Sequence, residues 1–417
     1  MRVIMRWGVI ATAVFLVACS SPTPTQTSGL EQEYNYEFKN LHPEVMVLNE
    51  SSDRATVHVG IAASEVLFTR KDPQDPFKAR IQLSYQVFDS SQPTLLLDSG
   101  STEKIYPAAG IGNMLYDSFQ IALPTGSGHL LAVQVMDQNR GVSETQLIPL
   151  GGTQSLGRQD FMFVTSEGTP CFRHRLIEGE AVRLICPNCD SGLDLIPHES
   201  NVSLPPPPFS DSRSEFPAVQ ENAFTPVEGY GYDAPSIALE EGMYSLVQKG
   251  HVLGVISVND LYFPEIKTFA RMAETTRYIT SRAEYDAMAN SKDPQERLET
   301  FWTDCAGSKD RARELIRIYY NRVEEANYYF TSGIPGWKTD RGLIHIVFGN
   351  PQSITKTAES EVWYYGEQDN VATLRFTFDR KLTSLVSDFY ELRRDRLYKA
   401  QWERAVTSWR NGKIYEE

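Results

Sequence analysis

Gly333-Ile334-Pro335-Gly336-Trp337-Lys338-Thr339-Asp340-Arg341-Gly342-Leu343-Ile344-His345-Ile346-Val347-Phe348-Gly349-Asn350-Pro351 is the stretch from which the C-terminal fold is read. Pro335-Gly336 is a turn pair: proline presets one φ, and glycine accepts the positive φ that other residues avoid. Trp337 is a large apolar anchor with one N–H to satisfy. Thr339 and Asp340 are short polar residues suited to capping neighbouring backbone N–H groups. The apolar run 343–348, opened by Gly342 and stopped by Gly349-Asn350-Pro351, reads as a strand. Alternation along it puts His345 on the face of Leu343 and Val347. Further strands are expected over Glu361–Tyr365, Thr373–Phe378 and Leu382–Val386, with turns at Gly366–Asn370 and Asp379–Lys381. A last helix carries Tyr398, Trp402, Ala405, Val406 and Trp409 on one face and meets Gly412 at its C-terminal cap. Residues 333–417 are therefore expected to form a small α+β domain, an antiparallel meander plus a helix.

Gly336-Trp337-Lys338-Thr339-Asp340, followed by Arg341-Gly342, an apolar run and Gly349-x-Pro351, resembles the GWxTD domain family of bacterial exported proteins and lipoproteins. The resemblance extends over residues 260–395. It implies an exported protein without an established catalytic activity, so no catalytic residue is carried over. It singles out Gly336, Trp337, Thr339, Asp340, Arg341, Gly342, Gly349 and Pro351 as a structural motif.

The N-terminus reads as an export signal over residues 1–18. Arg2 and Arg6 form its positive end, and Val9–Val17 is an apolar run too short to span a bilayer comfortably. Leu16-Val17-Ala18-Cys19 has the spacing of a lipobox, which makes Cys19 the expected site of lipidation, including palmitate, and the new N-terminus. An ordinary secretory signal with a chance cysteine is the alternative. Ser20 after the cysteine resembles release to the bacterial outer membrane, and no acidic run follows that would direct export beyond it. The expected location is the periplasmic face, with the cell surface as the second possibility. Residues 19–32, rich in Ser, Thr and Pro, form a flexible tether.

The chain carries 40 basic and 54 acidic side chains, a net charge of −14. Removing Arg2 and Arg6 with the signal takes it to −16. Such a balance lacks the basic footprint of a nucleic-acid binder and argues against electrostatic docking on anionic lipid. The expected partners are the membrane, through the N-terminal lipid, and other envelope proteins.

Short alternating runs separated by Asp-Pro, Ser-Gln-Pro and Thr-Gly-Ser-Gly turns put a β-sandwich-like domain over residues 33–150. A second β-rich region spans 151–260. It includes the Pro-rich segment 199–236, read as an extended strap laid over neighbouring modules, with Leu204–Phe209 as polyproline II. A helical segment follows over 261–332. Pro264 is read as opening it, Ser281-x-x-Glu284 is a capping box, Asp293-Pro294 starts a helix, and Ser308 caps the longest one, 309–330. Tyr320, Tyr328, Tyr329 and Phe330 around that helix are either a docked core or a sugar- or peptide-binding face.

Cys171-x-x-His174 and Cys186-x-x-Cys189 are the remaining constellation. In an oxidising compartment a disulfide from Cys171 to Cys186 or Cys189 is the favoured expectation. A tetrahedral structural zinc on Cys171, His174, Cys186 and Cys189 and free thiols stay open; no other cofactor is expected. Asp340, Arg341 and His345 have an acid/base reading, but Asp340 is better read as a turn cap and Arg341 as the partner of Glu359 or Glu361. The sequence contains no Gly-x-Ser-x-Gly elbow, phosphate loop or His-Glu-x-x-His helix. Non-catalytic scaffolding or binding in an envelope assembly is the leading expectation, with a glycan- or peptide-processing hydrolase as the alternative. Cys19→Ala is expected to move the protein from the membrane pellet to the soluble periplasmic fraction on cell fractionation; retention in the pellet would mean that another anchor exists.

Overall fold

The computed structural model describes Tyr34 and residues 40–415, except positions 91, 93, 124–127, 152–156, 191, 200–201, 215, 221–222, 358, 368–369, 371–372 and 382–388. The expected export segment, Cys19 and the expected tether lie outside the described residues. Seven strands come first: β1 (Glu44–Ser51), β2 (Arg54–Ala62), β3 (Lys78–Asp89), β4 (Leu96–Pro107), β5 (Met114–Ala122), β6 (His129–Asp137) and β7 (Val142–Leu150). They form two antiparallel sheets, β1-β2-β5 and β4-β3-β6-β7. Alternate residues of β6 are buried, and Leu131, Val133 and Val135 share one core with Val57, Ile61, Ile81 and Leu83 of the other strands. Two sheets facing one another over inward-pointing alternate residues make a β-sandwich.

The second region contains β8 (Met162–Thr165), β9 (Arg175–Ile177), β10 (Val182–Ile185), β11 (Leu193–Pro197), β12 (Thr225–Pro226), β13 (Gly242–Gln248) and β14 (His251–Asn259). β8 and β10 pair as a ribbon, and the order β12-β11-β13-β14-β9 builds a sheet in which β9 alone is parallel to its neighbour. The β13–β14 hairpin turns through Lys249 and Gly250, both at positive φ (49° and 82°). Met46 and Leu48 of β1 pack with Met162, Val164, Phe172 and Ile185, which joins this region to the sandwich. The strap runs on to the C-terminal domain: Leu204 and Phe209 lie against that domain's core, and the Asp395 N–H donates to the Pro208 carbonyl at 3.1 Å.

Six helices follow: α1 (Phe269–Thr275), α2 (Arg282–Ala289), α3 (Pro294–Ala306), α4 (Lys309–Phe330), α5 (Asp340–Phe348) and α6 (Lys399–Arg410). The caps at Ser281, Asp293 and Ser308 form as their sequences dictate. Pro264 does not open a helix; α1 starts five residues later, where the Thr268 side chain accepts from the Arg271 N–H. The meander β15 (Ser353–Lys356), β16 (Ser360–Tyr365), β17 (Leu374–Lys381) and β18 (Phe389–Leu392) completes the C-terminal domain in sequential antiparallel order. Asp379–Lys381, expected to turn, continues β17, because Phe378 and Lys381 pair with Leu392 and Phe389. The expected strand 382–386 falls outside the described residues.

The largest departure from expectation is α5. The run 343–348 is helical, and every residue from Asp340 to Phe348 is buried. A short element enclosed on all sides has no polar face, so neither helical nor strand periodicity shows in its sequence. The Thr339 side chain decides the matter by accepting the Gly342 N–H at 3.1 Å, which makes it an N-cap.

One core unites α3, α4, α5, α6 and the meander, with Trp302, Tyr319, Phe330, Trp363, Phe376 and Trp409 fully buried. Tyr34, far away in sequence, is part of it. Its ring lies 4.8 Å from Phe330 and 5.4 Å from Trp363, and its hydroxyl donates to Glu361 Oε1 at 2.9 Å. Tyr34→Ala, by emptying an aromatic site and removing a donor to a buried carboxylate, is expected to cost the C-terminal domain about 3 kcal/mol or more in chemical denaturation. An unchanged midpoint would show that the N-terminal segment adds nothing to this core.

Candidate functional site

Two regions compete for function: the motif at the start of α5 and a cavity between the modules. The motif is built by a close approach. A Cβ on Gly336 would stand 2.6 Å from the Ala326 carbonyl carbon of α4, and one on Gly342 would stand 2.9 Å from the Gly336 carbonyl carbon. Real Cβ atoms do not approach carbonyl carbons so closely, so only glycine fits at either position. Trp337 is buried; its backbone N–H donates to Asn327 Oδ1 at 3.2 Å, and its carbonyl accepts the Tyr278 hydroxyl at 2.6 Å. The Thr339 hydroxyl donates to the Gly336 carbonyl at 2.7 Å while capping α5. Gly349 ends α5 at φ 86°, with its Cβ direction closed by the Arg322 guanidinium. Pro351 is buried just beyond it.

Asp340 does not cap the turn. It is fully buried, 2.5 Å from Arg394 Nη2, and accepts the Leu392 N–H at 2.8 Å and the Ser214 hydroxyl at 2.8 Å. Arg394 also donates to the Pro206 carbonyl at 3.0 Å, so this ion pair ties α5, the end of β18 and the strap together. Arg341 pairs with Glu361 at 3.3 Å, one of the two acids expected, and its guanidinium lies 4.0 Å over the Tyr390 ring. Glu361 also accepts the Trp363 Nε1–H at 3.1 Å. His345 is not on a strand face; it is buried in α5 with Nε2 2.9 Å from Glu325. Each motif side chain is engaged in holding the fold, and Asp340, Arg341 and His345, the residues with an acid/base reading, are all buried.

The cysteines differ from expectation. Cys186 bonds to Cys189, and not to Cys171. Cys171 is a buried free thiol, pushed up to about 12 chiefly by burial and secondarily by Glu180. The side chain of His174 lies outside the described part. Among the described residues no group of three or more His, Cys, Asp or Glu is arranged to hold a metal ion. With Cys186 and Cys189 consumed in a short bridge, a site using both as thiolates cannot assemble.

The cavity, about 880 Å³, opens where the sandwich, the second β-rich region and α4 meet. β9 contributes Arg175, Leu176 and Ile177, β1 contributes Glu44, and α4 contributes Asn321, Glu324, Glu325 and Tyr328. The irregular segment before α1 supplies Leu261, Tyr262, Phe263, Glu265 and Lys267. Leu261 and Tyr262 are strongly exposed, 72% and 46%. Most of the charges here are paired. Glu44 lies 2.7 Å from Arg173 Nε and 3.4 Å from Arg175 Nη2. Both guanidiniums also sit over the Tyr328 ring, at 4.7 and 6.0 Å. Burial brings Arg175 down to about 10 even so. Glu325 meets His345, and Glu265 meets Lys267. Glu324 stands apart: it accepts the Ile266 N–H at 3.2 Å, and burial raises its pKa.

Sequence reasoning missed this cavity because its walls come from five segments far apart in the chain. Of its lining, only Tyr328 had been given a binding reading, within the aromatic group around α4. The structure divides that group: Tyr320 and Phe330 are core, and Tyr328 lines the cavity. Gly336→Ala is expected to prevent the C-terminal domain from folding. Asp340→Asn should cost about 3–5 kcal/mol by leaving Arg394 buried without its charge partner, and Trp337→Ala a similar amount. Denaturation monitored by tryptophan fluorescence measures all three, and a wild-type midpoint in any of them would contradict the structural role assigned here.

No curated protein matches the chain. The GWxTD domain family matches over residues 242–411. That span starts at β13, upstream of the motif, and ends at α6; it takes in the cavity-lining segment before α1 and the cavity face of α4. From the β13–β14 hairpin to its last helix, this chain carries a GWxTD domain.

Proposed function

We propose that the protein is a lipid-anchored lipoprotein of the bacterial outer membrane. In this reading it faces the periplasm and acts by binding other envelope proteins rather than by catalysis. The observation that carries the binding role is the state of the cavity's charges. Three of its four carboxylates already have side-chain partners: Glu44 has Arg173 and Arg175, Glu325 has His345, and Glu265 has Lys267. Serine, cysteine and histidine are missing from the residues that line it. Hydrolysis of a glycan or peptide uses two carboxylates acting together or an activated nucleophile, and the pairing of Glu44, Glu265 and Glu325 favours binding over that chemistry. An exposed lip of Leu261 and Tyr262 beside a concave wall is instead what a partner would dock against.

The anchoring role is supported by the lipobox spacing at Cys19. Tyr34 adds a geometric consequence. Because it is seated in the GWxTD core, an acyl chain on Cys19 would hold that domain within about 50 Å of the bilayer even with the tether fully extended.

A photo-crosslinking residue placed at Leu261 or Tyr262 in cells is expected to capture a discrete envelope partner, with the same residue at Thr145 on the sandwich as a control. Identical adducts at all three positions, or none at the lip, would refute a docking role for this region.

A further inference from the structure

We infer that the junction cavity accepts an organic cation, the ammonium or guanidinium of a basic group attached to an apolar body, with Glu324 as its counter-ion. The inference rests on the reading of this cavity as the binding site and adds the chemistry of what enters it.

Glu324 is half-buried on α4 and lines the cavity. Among the described residues its hydrogen-bond donor is one backbone N–H, at 3.2 Å, and no basic side chain lies within salt-bridge distance of it. A carboxylate partly removed from water with one neutral donor is under-compensated. Of the cavity's own cations, Arg175 is committed to Glu44, and Lys267 pairs with Glu265 while acting on Glu324 only at longer range. The residues that line the cavity therefore carry more negative than positive charge. An anionic ligand would add to that excess, and would also face Glu44, Glu265 and Glu325. A cation would offset it.

The walls point the same way. Aromatic faces here already receive cations: Arg173 and Arg175 lie over Tyr328, and Lys267 lies 5.8 Å over Tyr262. Leu176 and Phe263 offer apolar surface for the body of such a ligand. The chain's net charge of −14 favours the approach of a basic partner at long range. A lysine or arginine beside an apolar residue in a polypeptide and a free arylalkyl amine share this chemistry.

Calorimetric titration of the full chain with three capped tripeptides, acetyl-Phe-Lys-Phe-amide and its Gln and Glu counterparts, tests the inference, with phenethylamine as the small-molecule arm. The lysine peptide is expected to bind about three- to tenfold tighter than the glutamine peptide, and the glutamate peptide weakest. Phenethylamine matching the lysine peptide would assign the site to small amines; phenethylamine binding far more weakly would assign it to a polypeptide. Glu324→Gln keeps an acceptor for Ile266 and should level lysine with glutamine at an unchanged melting temperature. The ranking on the unmodified chain stands without any variant, and Tyr262→Ala, on an exposed segment, should weaken all three peptides together. Equal binding of the three peptides, or a lysine preference that survives Glu324→Gln, overturns the inference while leaving the cavity a binding site. If neither peptide nor phenethylamine binds, the cavity reading falls, and the inference with it.

Discussion

The C-terminal half of the molecule depends on two pieces of backbone touching where side chains would normally keep them apart. The turn at Gly336 lies directly on the Ala326 carbonyl of α4, and the first turn of α5 lies on the turn at Gly336. Removing two methyl-sized groups lets three segments stack at a distance that ordinary helix packing does not reach. The neighbouring residues follow from that placement. Trp337 is carried under Tyr278, Thr339 arrives where it can cap, and Asp340 is pushed into a site that water does not enter. Even the carbonyl left over at Val347 has a partner, the Trp409 Nε1–H of α6 at 3.0 Å.

The buried charges have a different role from the apolar core. A pair such as Asp340 and Arg394, or Arg341 and Glu361, adds little net stability over a well-packed hydrophobic replacement of similar volume. Such a pair does impose position. Asp340 accepts from Ser214, Leu392 and Arg394, three residues drawn from the strap and from the end of the meander. Glu361 accepts from Tyr34, Trp363 and Arg341. Each carboxylate is a meeting point for segments that arrive from opposite ends of the chain, and a displaced segment leaves it uncompensated. Ser214 and Pro206 lie outside residues 242–411, so this chain closes its GWxTD domain with contacts from beyond it.

Much of this architecture was legible in the sequence. The sandwich strands announced themselves by alternation and turn residues, and three helix starts by their caps, because those signals are local. The Arg341 partner was narrowed to two acids and proved to be Glu361. The helical state of 343–348 was not legible, since a fully buried segment shows no periodicity and its one decisive clue, Thr339 as N-cap, also suits a turn. Asp340 was misassigned for a related reason. A short acid beside a turn normally serves its neighbours, and nothing nearby announces an arginine fifty-four residues on. Cys171 was paired wrongly because spacing cannot tell which of two close cysteines bond to each other. The cavity could not be read at all, since its walls converge only when the modules pack.

Tyr34 gives the chain an unusual history. Its carboxylate partner is 327 residues further along, so the two cannot meet until almost the whole polypeptide is available. Loop closure over such a distance is entropically slow. The sandwich, complete by residue 150, can form before the C-terminal core that receives Tyr34 exists. The aromatic slot between Phe330 and Trp363 would be the last to fill. Seating Tyr34 there turns an open string of modules into a ring, and marks the moment at which the molecule is complete.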